Sequence, residues 1–250
     1  PPPTPPFSSR RRNTRLGRWS RGLGDVYKRQ HRDPRRTPFL TSSHLQLLAT
    51  AQLERPRVLF IGNSMILRND VPGLTAEQAA LDGHRLSAAT AAADGARLIE
   101  TLRLDAVRAV LRPGFWDAVI LQDFTKTPLR AFDRWGSDLA MGDIGKRVAP
   151  SPVILYPPWP ATSGNSVYRD AGFLTATPAS PDVFRARTMA FYEGVARKHG
   201  FHVAPVPEAW AAAADRGEDL FHPDGHHANA NGADLIAKVL WPAIRDAMRA

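Results

Sequence analysis

Leu59-Phe60-Ile61-Gly62-Asn63-Ser64-Met65, LFIGNSM, is an apolar run that stops at a glycine and delivers an asparagine and a serine. Its first part, RVLFI over 57–61, has the β-branched and apolar texture of a strand buried on both faces. The Gly-Asn-Ser at its end admits two readings. It is ordinary turn chemistry. It is also how a sheet would present a hydroxyl, that of Ser64, at the carboxyl end of a strand.

Working outward, the same alternation repeats. The pattern predicts helix over 71–84, with Pro72 near its start and Gly83 past its end. It predicts strand over 85–90, helix over 93–111, strands over 116–122 and 152–156, helix over 182–200, strand over 201–206, helix over 207–217 and a closing helix over 229–250 that contains Pro242. Five strands alternating with helices argue for an α/β chain with a parallel sheet covered on both faces. Right-handed crossovers then put every strand's carboxyl end on one edge. Ligands of such sheets bind at that edge, where strand order reverses. Ser64 comes after the first strand and is expected there. The segment 157–181 is rich in Pro, Ser, Thr and Gly and reads as a long loop.

The 250 residues carry a formal charge of +9 and are 43% hydrophobic, enough for one sizeable core. The charge is local. Residues 1–37 hold eleven of the 33 basic residues and two of the 24 acidic ones, so the remainder is electrically balanced. No basic face, and no nucleic-acid partner, is expected of the globular part. The head, residues 1–50, is proline- and arginine-rich without a hydrophobic period and reads as disordered. Within it, GLGDVYKRQ resembles a peptide that recurs in unrelated environmental sequences where adapter DNA has been translated. Residues up to about Gln30 are then expected to be a sequencing artefact. The globular domain is expected over 55–250. No apolar run approaches the length of a membrane span, so no membrane insertion is expected. The absence of cysteine excludes disulfides and thiolate chemistry. Compartment and oligomeric state stay open.

A serine nucleophile needs a base within hydrogen-bond reach and a third group to orient it. The candidates lie in LFHPDGHHANANG over 220–232, where Asp224 and His227 are three apart across a tight turn just before the last helix. Together, FIGNSM and DGHHAN resemble the SGNH (GDSL-type) hydrolase superfamily, over about Arg57 to Ile244, and within it a bacterial branch with a GNS opening. The resemblance implies a three-layer α/β/α fold with a flavodoxin-like five-stranded parallel sheet. It implies Ser64 as nucleophile, His227 as base and Asp224 as its partner. It also implies an oxyanion hole from the backbone N–H groups of Ser64 and Gly95, the latter opening a helix in AADGARL. No cofactor is implied. Many members carry Gly-x-Asn-Asp after the third strand, whose Asn donates to the oxyanion. This chain reads ILQDFTKTP there, and Gln122 is the candidate replacement; its alternative is a strand-end residue bonded to a neighbouring loop.

Asn63 and Trp159 are further candidates for contact with substrate. Asn63 can instead orient its turn, and Trp159 and Tyr168 can staple the long loop to the body. Asp94 is expected to cap the helix after it. His222, His226 and His227 invite a metal reading, but Pro223 and Gly225 break any helix there and no carboxylate spacing completes a site; no metal is expected, and His226 reads as a solvent-facing turn residue. The expected activity is hydrolysis of a small-molecule or glycan ester through an acyl-serine. The resemblance points first to small acyl groups such as acetyl on a carbohydrate, then to short-chain lipid esters and thioesters. A non-catalytic ligand-binding member of the fold is the rival reading.

Overall fold

The computed structural model describes residues 55–169 and 177–250. The expected head lies outside the described residues. Five strands, β1 (Arg57–Gly62), β2 (Ser87–Ala92), β3 (Ala118–Leu121), β4 (Val153–Leu155) and β5 (His202–Val203), form one sheet in the order β2-β1-β3-β4-β5, parallel throughout. Leu59 lies beside Ala89 on one neighbour and beside Val119 on the other. The chain leaves β1 for one side of the sheet and returns on the other, so strand order reverses next to β1.

Among the described residues the helices are α1 (Ser64–Leu67), α2 (Val71–Leu81), α3 (Leu98–Thr101), α4 (Asp105–Val110), α5 (Ala131–Val148), α6 (Pro181–His199), α7 (Val206–Asp215) and α8 (Ala230–Ala247). Side chains alternate across each strand, which divides the core into two. Val58, Phe60, Ala118, Ile120 and Ile154 pack against α2, α7 and α8. Leu59, Ile61, Val119, Leu121, Val153 and Leu155 pack against α3 to α6. Strands buried on both faces are why these runs read as continuously apolar. The three-layer α/β/α architecture expected from the sequence is the one observed.

Two departures are informative. The helix expected over 93–111 is two short helices, α3 and α4, preceded by a turn at Asp94 and Gly95, where Gly95 has φ +67°. Asp94 is therefore not a cap; Arg97 precedes α3, and the Leu98 amide donates to the buried carboxylate of Asp123 at 2.7 Å. The 18-residue α5 is a helix the sequence pattern does not announce. Its glycines read as breakers, but a side chain at Gly142 would meet the His199 ring at 2.6 Å, and one at Gly145 would meet the Phe201 ring. These glycines let α5 pack closely against the end of α6.

Candidate active site

β1 ends at Gly62, whose missing side chain matters: a Cβ there would lie 2.6 Å from both Gln122 Oε1 and Ile66 Cδ1. Asn63 then caps α1, its Oδ1 accepting from the Met65 N–H at 3.2 Å, while its Nδ2 donates to the Ala96 carbonyl at 3.1 Å. One side chain thus ties the serine's turn to the turn that holds Gly95. Ser64 is the first residue of α1, and its residue is 8% exposed.

The partner segment is a tight loop ahead of α8. His222 N–H donates to the His227 carbonyl and Gly225 N–H to the His222 carbonyl, both at 2.9 Å. Phe221 and Ala228 form an antiparallel bridge at its base. Gly225 holds φ +65° with Thr162 against it. Asn229 caps α8 by accepting from Gly232 N–H at 3.0 Å. The loop turns Asp224 back on itself: Oδ1 accepts from the His226 and His227 amides, both at 2.9 Å, and Oδ2 from His227 Nδ1 at 2.8 Å. His227 Nε2 meets Ser64 Oγ at 3.0 Å. The structure thus brings Ser64, His227 and Asp224 into one hydrogen-bonded chain, across 163 positions of sequence.

The electrostatics arise from those contacts. Partial burial alone would raise the Asp224 carboxyl, but the two backbone amides and the imidazole outweigh it and hold Asp224 well below the usual carboxylate range. A carboxylate accepts only, so it fixes the proton on His227 Nδ1 and leaves Nε2 to accept from the serine. Burial lowers His227 from its ordinary 6.5, against the opposing pull of Asp224 and with help from the Arg68 charge. His226 is half-buried rather than solvent-facing. Burial and the neighbouring imidazole bring it down to about 4, and its Nε2 faces Thr125 Oγ1 at 3.3 Å.

Three candidates sit elsewhere than expected. Gln122 is fully buried. Its Oε1 accepts from Asn63 N–H at 3.0 Å and its Nε2 donates to the Asp123 carbonyl, so both ends of the amide are engaged by the protein. The strand-end alternative is the one observed. Asn63 is 2% exposed with both amide ends engaged by the protein, and so is a turn-former rather than a substrate contact. Trp159 is 1% exposed, stacks on Trp210 at 4.4 Å between centroids, and donates from Nε1 to the His226 carbonyl at 3.1 Å. It braces the histidine loop from the core side, aided by Asn165, whose Nδ2 donates to the Asp224 carbonyl at 3.3 Å. Tyr168 is likewise a staple, donating to the Ala161 carbonyl at 2.8 Å. The Ser64 and Gly95 N–H groups have no acceptor among the described residues. The first amides of α3, by contrast, are held by carboxylates: Arg97 N–H by Glu100 and Leu98 N–H by Asp123.

A cleft of ≈ 270 Å³ opens beside the imidazole, lined by Phe124, Thr125, Lys126, Asn165, Ser166, Val167, Asp224, His226 and His227. Of these, Thr125, Lys126, Asn165 and Ser166 are not singled out by the sequence; loop residues carry no periodic signal. Among the described residues, no group of three or more His, Cys, Asp or Glu could hold a metal ion, and no helix is long and apolar enough to cross a membrane.

No family model and no curated protein matches the sequence. Solved structures do. A protein of Slackia heliotrinireducens assigned to the SGNH hydrolases is 26% identical and superimposes with a TM-score of 0.61, over 75% of this chain and 98% of that one. The chain belongs to the SGNH hydrolase superfamily. More distant solved structures share the fold. A lipase/acylhydrolase from Enterococcus faecalis is 15% identical with a TM-score of 0.54, over 77% of this chain and 95% of that one. The psychrotrophic esterase EstA of a Pseudoalteromonas species is 14% identical with a TM-score of 0.56, over 78% and 100%. In this SGNH hydrolase, Ser64 stands at the end of the first strand, beside the reversal of strand order, where ligands of such sheets bind.

Proposed function

We propose that this SGNH hydrolase is a serine esterase that works through an acyl-serine intermediate. The observation that carries the reading is the unbroken chain from Ser64 Oγ through His227 to Asp224. As Ser64 Oγ attacks the ester carbonyl carbon, His227 Nε2 takes the hydroxyl proton. Asp224 stabilises the imidazolium that forms. The carbonyl oxygen becomes an oxyanion, stabilised by the backbone N–H groups of Ser64 and Gly95. The proton then passes to the departing alkoxide, which leaves as an alcohol. Water, deprotonated by His227, attacks the acyl-serine, and collapse releases the acid and restores Ser64. The residues require no cofactor for these steps.

The cleft supports a small acyl group on a polyhydroxylated alcohol, such as acetyl on a carbohydrate. Its lining offers hydroxyl, amide, imidazole and ammonium groups, with Phe124 and Val167 as the apolar residues. Polar groups that converge on a small site give orientation and specificity. Hydrolysis of p-nitrophenyl esters from acetate upward, and of acetylated sugars, tests this, with Ser64→Ala alongside. Activity confined to short acyl chains, lost in Ser64→Ala, is the expected result. A profile rising with chain length would favour a lipid esterase or thioesterase.

One observation favours a second reading, a ligand-binding protein without turnover. With Gln122 engaged elsewhere, the hole rests on backbone donors, and losing one oxyanion donor costs on the order of 100- to 1000-fold in rate in other hydrolases. A fluorophosphonate probe separates the two. Labelling at Ser64 supports the esterase; a folded protein that does not label supports the binding module.

A further inference from the structure

The residue after α1 is Arg68, four positions from the serine, and its side chain points to the other half of the site. Arg68 Nη1 donates to Asp224 Oδ2 at 3.1 Å, the oxygen that also accepts from His227 Nδ1 at 2.8 Å and lies 3.1 Å from His222 Nδ1. The Arg68 side chain is 18% exposed, and its Nε is buried without an acceptor among the described residues. Its backbone leads into two consecutive left-handed residues, Asn69 at φ 57° and Asp70 at φ 52°. Such conformations are strained outside glycine, less so for Asn and Asp, and persist where surrounding contacts hold them. Here those contacts are visible. Asn69 Nδ2 donates to the Ala228 carbonyl at 2.9 Å, and Asp70 accepts from Gly73 N–H at 3.3 Å. The segment 68–70 therefore clasps the histidine loop at two points, Asp224 and Ala228.

We propose that Arg68 is a positioning residue that shares the Asp224 carboxylate with His227 and thereby sets the pH at which His227 becomes a free base. Asp224 Oδ1 is already occupied by two backbone amides. Whatever hydrogen-bonding capacity Oδ2 gives to the guanidinium it withholds from an imidazolium. The guanidinium also adds its own positive charge close to the ring. Both effects disfavour protonated His227. The other groups facing His227 are Asp224 and Asp94, which favour the proton, and the His226 ring, which sits edge-on at 4.8 Å and is itself neutral above about pH 4. His222 reaches the same Asp224 oxygen, and Lys126 faces His226. Among these, Arg68 is the cation bonded to the carboxylate that orients the base.

The kinetic consequence rests on the esterase reading; the ionisation of His227 does not. NMR titration of the His227 ring in a Ser64→Ala background measures the second directly. Arg68→Gln is expected to raise the His227 midpoint by about half a pH unit or more, and in the active protein to move the acid limb of kcat/KM up by the same amount. Arg68→Lys keeps the charge and is expected to hold the midpoint within about 0.2 units of the native value. An unchanged His227 midpoint in folded Arg68→Gln overturns the proposal, even if activity falls. So does an Arg68→Lys variant whose midpoint rises as far as that of Arg68→Gln. If Arg68→Gln does not fold, Arg68→Met carries the same titration, and an unchanged His227 midpoint in it overturns the proposal. Absence of ester hydrolysis with a shifted His227 midpoint would count against the esterase reading and not against this one.

Discussion

The cleft beside His227 and the groove between α5 and α6 differ in a way that runs against size. The groove is the larger, ≈ 570 Å³, lined by residues that include Arg134, Trp135, Asp138, Phe191 and Lys198. Its polar groups pair with what is near: Arg134 donates to the Pro128 carbonyl, and Lys198 and His199 meet Asp138. Trp135 is 59% exposed on its rim. The cleft is under half that volume, yet its groups converge. Asp224 accepts from two amides, the His227 imidazole and a guanidinium, and the serine lies at the end of that chain. Volume alone does not make a reactive site. Chemistry needs groups held in register at one point.

The comparison breaks most sharply at the serine. Ser64→Ala and His227→Ala are each expected to lower ester turnover on the order of 10⁶-fold, since the three residues act as a unit. Asp224→Asn is expected to cost about 10⁴-fold, because the amide no longer fixes the imidazole's tautomer. Turnover of a chromogenic ester, against folding checked by circular dichroism, reads both. Retention of activity in Ser64→Ala would move the site elsewhere, the groove included.

Gln122→Ala sharpens the contrast by testing what supports the serine. It leaves the buried Asn63 N–H without its acceptor, which costs about 1–3 kcal/mol of stability. Thermal unfolding should show a lowered Tm, with turnover reduced because the serine's turn loosens. A large fall in turnover at unchanged Tm would instead give Gln122 a direct place at the oxyanion.

The pH profile is subtler. His227 must be neutral to accept the serine's proton, and its proton affinity is lowered by burial. Activity should therefore persist at mildly acidic pH and be lost as pH falls through a midpoint below 6.5. A kcat/KM limb above that value would mean that Asp224 outweighs burial and Arg68. The smallest effect belongs to the groove: Trp135→Ala is expected to leave turnover within about twofold, as surface substitutions away from a site do.

What was legible in the sequence lay close along the chain or in its period. Strand runs at 57–61 and 116–122 sit within a residue or two of β1 and β3, because burial on both faces leaves an unbroken apolar signature. Ser64 and the Asp224–His227 pair stood out because each sits in a short turn beside an element end. α5 was not legible, because its glycines answer to His199 and Phe201, residues far along the chain. Thr125, Asn165 and Ser166 gave no signal for the same reason: their proximity to His227 is made by loops closing over the sheet edge.

The sequence by itself determined the alternation of strand and helix, hence the parallel sheet, and it determined which side chains were chemically able to form a nucleophile, a base and an orienting acid. The tertiary structure decided how the polar atoms are used. Gln122 and Asn63, 59 positions apart, satisfy one another, and Trp159 braces the His226 backbone from the core. Arg68 and Asp224 meet across 156 positions. Periodicity reports only whether a residue faces the core or the solvent. The partner of a hydrogen bond is set within about 3 Å, and only the closed fold brings such distant residues that near.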